Sequence, residues 1–238
     1  MELAGQRALV TGGTAGIGLA SAWLLVEAGA AVVIAGRNAE RGVAAADQLG
    51  ARFVQADIGT PSGVEQLVRS AGEVDILVNN AAYFPAALTV DQDLSSFDAT
   101  FGINVRGLYF LTAGIADGML GRGHGSIVNI TTMVATKGVA RASAYSASKA
   151  AVESLTRTWA VEFGAAGIRV NSVAPGPTRT EGVQAEWGDS NEELGRSMPL
   201  GRTAEPMEIA QAVLFLASPR SSFITGSTLH VDGGGAAL

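Results

Sequence analysis

The stretch Thr11-Gly-Gly-Thr-Ala-Gly-Ile-Gly18 constrains this chain more than any other. It follows a short apolar run, Arg7-Ala-Leu-Val-Thr11, and leads into an apolar helical pattern from Ile17 to Ala28 that stops at Gly29. A strand, a glycine-rich turn and a helix open a βαβ unit, with phosphate placed at the helix N-terminus. Glycines let a backbone approach a pyrophosphate closely. The spacing Gly12-x-x-x-Gly16-x-Gly18 departs from the G-x-G-x-x-G pattern of many dinucleotide sites. A turn whose glycines serve only strand–helix packing stays open as the alternative.

The same alternation runs on through the chain. Ala31–Ala35, Arg52–Ala56, Asp75–Asn79, Ser126–Ile130, Ile168–Val173 and Ser227–Val231 read as further buried strands. Asn38 can cap a helix ending at Leu49 with Gly50 as its stop, and Thr60-Pro61 can open one running to Ala71. Helical patterns also cover about 94–119, the segment from 143 to about 163, and Pro206–Ala217. Strands alternating with helices imply one Rossmann-like, doubly wound α/β domain over 1–238, with about seven parallel strands and helices on both faces. The rhythm breaks at about 180–203, a polar stretch interrupted by Gly182, Gly188, Gly195, Pro199 and Gly201. A loop longer than ~15 residues in a compact domain is usually functional or disordered. Because ligands in open α/β sheets bind at strand carboxyl ends, this stretch is expected to be a substrate lid.

Ser143-Ala-Tyr-Ser-Ala-Ser-Lys149 carries the clearest chemical signal. Residues four apart share a helix face, so the Lys149 ammonium is expected beside the Tyr145 phenol. A neighbouring cation favours phenolate, which would bring a group that titrates near ~10 toward neutrality. An ordinary, partly exposed Tyr–Lys pair is the alternative.

Composition excludes several classes. The 238 residues contain no cysteine, so neither a disulfide framework nor a thiolate metal site can form. His124 and His230 are the two histidines, and no metal site is expected. A formal net charge of −6 gives no electrostatic footprint for nucleic acid. Apolar runs fall short of a ~20-residue membrane span, and Met1-Glu-Leu-Ala-Gly lacks the basic start of a signal peptide. A cytoplasmic protein is expected.

Taken in order, Thr11–Gly18, Asp57, Asn79-Asn-Ala-Ala82, Asn104, Tyr145-x-x-x-Lys149, Pro175-Gly176 and Val231-Asp-Gly-Gly234 resemble the short-chain dehydrogenase/reductase family across essentially the full length. The resemblance implies hydride transfer between nicotinamide and a carbonyl or secondary alcohol. It assigns Tyr145 as the acid–base group. Lys149 would lower the phenol's pKa and bind the nicotinamide ribose, and Asn104 would hold a water of a proton relay. Asn104 could instead satisfy a helix kink. The cofactor would lie on Gly12, Thr14, Gly16, Ile17 and Gly18, with Asp57 and Ile58 at the adenine. Asn79 would brace the strand ends beside a ribose at Ala81, and Pro175, Gly176, Thr178 and Thr180 would orient the nicotinamide. Asp57 could also cap the following helix.

Two positions depart from the family pattern. The family's active hydroxyl is normally a serine thirteen residues before the tyrosine, and here that residue is Thr132. It keeps the donor and adds a methyl group. Thr131 is its neighbour, expected to face the other way along the strand. Ala82 stands where glycine is usual, which would be strained if that position had a positive φ.

Ala35-Gly-Arg37-Asn38 has glycine where an acid would bind the 2′-hydroxyl of NAD, and Arg37 could take a 2′-phosphate. NADP(H) is therefore expected over NAD(H), although Ala15 sits where many NADP-dependent relatives carry a cation. Tyr83-Phe-Pro85, Met133-Val-Ala135, Val139, Trp187 and Met198 suggest an apolar pocket for a small-molecule carbonyl or alcohol. A 3-oxoacyl (acyl-carrier-protein) thioester reductase is the alternative, with Ala165 and Ala166 where basic residues would hold an acidic carrier. A non-catalytic dinucleotide-binding sensor or scaffold is a third reading. A homotetramer is expected from the apolar helix Ile209–Leu216, Leu229–Val231 and the small-residue tail Gly233–Leu238.

Overall fold

The computed structural model describes all of residues 1–238. Seven strands form one sheet: β1 (Arg7–Thr11), β2 (Ala31–Gly36), β3 (Arg52–Gln55), β4 (Ile76–Asn79), β5 (Gly125–Ile130), β6 (Ile168–Pro175) and β7 (Thr228–Val231). Their order across the sheet is β3-β2-β1-β4-β5-β6-β7, and every pair is parallel. The chain winds outward from β1 in one direction and then, after β3, returns to continue in the other. The reversal falls between β1 and β4, where a crevice must open at the carboxyl ends of the strands.

Six of the nine α-helices cover the sheet. α1 (Gly16–Glu27), α2 (Ala39–Leu49) and α9 (Pro206–Ala217) pack on one face, where Leu25, Ile34, Val128, Ile209 and Val213 are buried together. α3 (Pro61–Ala71), α5 (Leu108–Arg122) and α6 (Ser143–Gly164) pack on the other, around Leu9, Leu67, Leu77, Leu111, Ile127 and Trp159. The caps read from sequence are in place. Asn38 accepts from the Arg41 amide, Thr60 accepts from the Gly63 amide, and Gly50 takes a left-handed φ of 65°.

The helical pattern over 94–119 is one unbroken helical run, in which α4 (Leu94–Phe101) and α5 flank a π-helical turn at Gly102–Gly107. Gly107 lies so close to β3's exit that a Cβ there would come within 2.0 Å of the Ile58 carbonyl oxygen. Asn104 sits on this wider turn, and such bulges commonly occur at functional sites. The stretch 180–203 is not an irregular loop: it contains two short helices, α7 (Glu181–Trp187) and α8 (Ser190–Arg196). Thr180 caps α7 through the Val183 amide, Gly188 ends it, and Gly182 and Gly195 lie inside the two helices.

Candidate active site

A cleft of about 880 Å³ opens at the carboxyl ends of the strands, from α2's first turn to the α7–α8 segment. At one end lies the N-terminus of α1. Its N-cap residue, Ala15, makes no side-chain capping bond, and its first turn contains no acidic residue. The first amides of α1 therefore face the cleft without a side-chain acceptor, which suits an anion. Gly12, Thr14, Gly16 and Ile17 line this region.

Gly18 does not. A Cβ there would stand 2.2 Å from the Gly12 carbonyl oxygen, so Gly18 is the residue that lets the helix close on its own turn rather than one that meets a ligand. Asn79 does not line the cleft either, and links the end of β4 to the end of β5. Its amide is buried below the cleft, donating to Thr112 Oγ1 and Asn129 Oδ1 at 2.9 Å each. Neighbouring Asn80 faces the turn instead, donating to the Thr11 and Gly12 carbonyls at 2.9 and 3.1 Å. Strand alternation explains the exchange: Asn79 is the last residue of β4 and points into the helix layer.

Arg37 stands exposed at the cleft's far end, and Arg41 lines the same wall. Neither guanidinium is held in an ion pair. The sequence reading missed Arg41; its place in the first turn of the helix capped by Asn38 was the available signal. Asp57 and Ile58 line the opposite wall, and Asp57 Oδ1 accepts the Gly59 amide at 2.9 Å. Ala81, Pro175, Gly176, Thr178 and Thr180 complete the middle of the cleft. Gly176 is pressed against Asp232, where a Cβ would meet the Asp232 Cα at 2.6 Å.

Tyr145 enters on the first turn of α6, and Lys149 follows one turn later. Lys149 is 1% exposed and donates to the Ile130 carbonyl oxygen at 2.7 Å. Its Nζ is 5.9 Å from the Tyr145 ring centroid. Burial holds the ammonium down to about 8. The expected lowering of the phenol is not what the site does: burial pushes Tyr145 well above its ordinary value, opposed only by a hydrogen bond from Thr132. Lys149 is turned toward β5's last carbonyl rather than onto the phenol oxygen, and desolvation outweighs its influence.

The two threonines separate as strand geometry requires. Thr132 presents its hydroxyl on the Tyr145 side, whereas Thr131 Oγ1 donates away from the cleft, to Glu153 Oε1 and the Val173 carbonyl at 3.2 Å each. Asn104 is fully buried and does not line the cleft. Its side chain accepts the Tyr83 amide and donates to the Tyr83 carbonyl and to Ser148 Oγ, at 2.8, 2.8 and 3.0 Å. Ser148 in turn donates to the Tyr145 carbonyl at 2.7 Å. Asn104 thus ties the loop after β4 to the turn of α6 that carries the phenol. Ala82 is not strained, since Arg141 (φ 69°) is the one non-glycine residue with a positive φ. Ala165 and Ala166 precede β6 at the opposite end of the sheet from the cleft, so their lack of charge has no bearing on a partner at its mouth.

Comparison with known proteins agrees with this geometry. A family model described as Enoyl-(Acyl carrier protein) reductase matches residues 12–235. The chain is similar to the 3-oxoacyl-[acyl-carrier-protein] reductase FabG of Thermotoga maritima, at 35% identity over 98% of this chain and 99% of that one. It is also similar to the L-xylulose reductase of Mesocricetus auratus, at 38% identity over 98% of each. A solved structure of a short chain dehydrogenase/reductase family protein is 61% identical, with a TM-score of 0.96 over 100% of both chains. The chain belongs to the short-chain dehydrogenase/reductase family and is an oxidoreductase of the CH–OH/C=O pair.

Proposed function

We propose that the protein is an NADP(H)-dependent carbonyl reductase working through Tyr145, Thr132 and Lys149. The observation that carries the reading is that these three side chains converge in the same cleft as the uncapped amides of α1. A nicotinamide dinucleotide, when bound, supplies hydride exchange at the substrate carbon. Gly12, Thr14, Gly16 and Ile17 would hold its pyrophosphate, with Asp57, Ile58 and Ala81 toward the adenosine. Pro175, Gly176, Thr178 and Thr180 would hold the nicotinamide amide. Arg37 and Arg41 leave two guanidiniums for a 2′-phosphate, and β2 ends on Gly36 rather than on an acid for a 2′-hydroxyl, which favours NADP(H).

The chain's own part in the reaction is proton transfer and orientation. Tyr145 lines the cleft with its phenol beside Thr132, where it would donate a proton to the oxygen of a carbonyl being reduced and take one from an alcohol being oxidised. Thr132 donates to the same oxygen and fixes its position. Lys149 spends one N–H on Ile130 and retains two for ribose hydroxyls. Asn104 is a positioning residue acting through Tyr83 and Ser148.

The test is oxidation of NADPH and NADH with a panel of ketones, followed by absorbance. Turnover that survives Tyr145→Phe, or a preference for NADH, would remove the corresponding part of the reading. A 3-oxoacyl thioester reductase is the second reading, favoured by the Thermotoga maritima relative. A sensor without turnover is disfavoured by the convergence of all three reactive side chains.

No helix is long and apolar enough to cross a membrane, in keeping with a cytoplasmic enzyme. Assembly into a homotetramer is supported by β7, the sheet's edge strand, where Leu229 is exposed, and by nearby Phe223, fully exposed. Helix α9 contributes less than its sequence suggests, since Ile209, Val213 and Leu216 are spent on the core. A monomeric mass by light scattering at micromolar concentration would remove the tetramer.

A further inference from the structure

The half of the cleft beyond Tyr145 has a chemistry of its own. Phe84 stands edge-to-face on the Tyr145 ring, with centroids 6.0 Å apart. On its far side the α7 backbone presses down, so that a Cβ on Gly182 would lie 3.2 Å from Phe84 Cζ. The lid is latched there, because Glu186 Oε1 accepts the Ala86 amide at 2.8 Å. Trp187, Met133, Val134 and Val139 extend the apolar wall.

Charge is distributed unevenly along the cleft. Its cations are Arg37 and Arg41 at the far end and the buried Lys149, whereas the lid contributes only the carboxylates of Glu181 and Glu186. An anionic substrate group beside the lid would find no partner and two like charges. Beyond the Ser190 hydroxyl, polar recognition on the lid side is scarce. Asn191 Nδ2 is committed to the Thr178 carbonyl at 3.3 Å, and the Tyr83 hydroxyl turns to Ser96 at 3.5 Å. A polyol would leave hydroxyls against carbon, which is unfavourable.

We infer that the substrate is a neutral ketone, or its secondary alcohol, carrying an aromatic or branched apolar group that seats between Phe84 and Trp187. The inference rests on the carbonyl-reductase reading and adds the substrate class. Aromatic side chains around a carbonyl acceptor reward a ring through both area and edge-to-face geometry. The lid carboxylates act against keto acids.

The experiment compares four carbonyls under saturating reduced nicotinamide: acetophenone, a five-carbon ketose, acetoacetate, and the acetoacetyl thioester of N-acetylcysteamine. Acetophenone should show kcat/KM about tenfold or more above each of the others, the scale on which apolar pockets discriminate. Phe84→Ala and Trp187→Ala should each lower kcat/KM for acetophenone by about fivefold or more, through KM more than kcat. A preference for the ketose, acetoacetate or the thioester would overturn the substrate class while leaving the reductase reading intact. So would KM values within about twofold of wild type in both variants. Saturable binding of the reduced nicotinamide without its oxidation by any of the four would overturn the reductase reading, and this inference with it.

Discussion

The two ends of the cleft are built by opposite strategies. The nucleotide end is made of short-range structure: β1, its glycine turn and α1's first amides all lie between Arg7 and Ile17, and Arg37 and Arg41 follow β2 directly. Backbone groups do most of the work there, and Gly12 and Gly18 hold them in place by letting chain segments touch. The substrate end is assembled from the loop after β4, the loop after β5, the first turn of α6, and α7. The loop after β5 runs directly into α6, but the loop after β4, α6 and α7 are joined by long-range side-chain contacts: Asn104 to Tyr83 and Ser148, Glu186 to Ala86, and Phe84 against Tyr145. A family can therefore keep one end nearly constant and vary the other.

That contrast can be broken most severely at Tyr145. Tyr145→Phe keeps the ring's packing on Phe84 and removes the transferable proton, so turnover should fall by about 10³ or more while NADPH titration changes little. Loss of both activities together would mean that the two ends are not separable. Thr132→Val should follow, costing about 10²–10³ in kcat, as loss of a donor to a developing oxyanion does. Thr132→Ser should stay active. Thr131→Val should spare kcat and instead lower stability by about 1–3 kcal/mol, because it strips the donor from buried Glu153. Denaturant melts and steady-state kinetics on the pair decide it; a larger kinetic defect at Thr131 would assign the wrong hydroxyl.

Lys149 offers a pH test at the junction of the two ends. Its folded pKa, about 8, lies below the ordinary 10.5, so the folded state binds fewer protons than the unfolded state between those values. Stability must then rise with pH across that window: the penalty for burying the ammonium is fully present below pH 8 and relieved by 10.5. Its size is on the order of 3 kcal/mol. Relative to Lys149→Met, wild-type stability should climb between these pH values, as read by denaturant melts; parallel curves would contradict the burial. The smallest effect belongs to the nucleotide end. Arg37→Ala should reduce the NADPH-to-NADH ratio of kcat/KM by about tenfold, with Arg41→Ala adding a smaller loss on the same scale as a charge-assisted bond. An unchanged ratio in the double variant would place the 2′-phosphate elsewhere.

Much of this molecule was legible before its tertiary structure. Periodicity and turn chemistry located all seven strands, and the capping residues Asn38 and Thr60 marked their helices to within a residue. Four-residue spacing put Lys149 on the face of Tyr145 and strand alternation set Thr131 and Thr132 on opposite sides, while the family resemblance picked Thr132 as the reactive hydroxyl. Such features depend on periods of two and 3.6 residues and on local backbone preferences, which a linear sequence carries directly.

Other outcomes depended on which distant atoms came together. Asn79 and Asn80 are indistinguishable on paper, and only the end of β4 against α5 decides that the first is buried and the second faces the turn. The 94–119 run is helical as read, but the π turn at Gly102–Gly107 inside it carries no signal in the sequence period. The Glu186 latch needs a partner a hundred residues away in the chain. The phenol's pKa was misjudged for the same reason: the four-residue spacing does put Lys149 on the right face, but the sign of the shift belongs to desolvation, and the depth of burial is a property of the packed molecule.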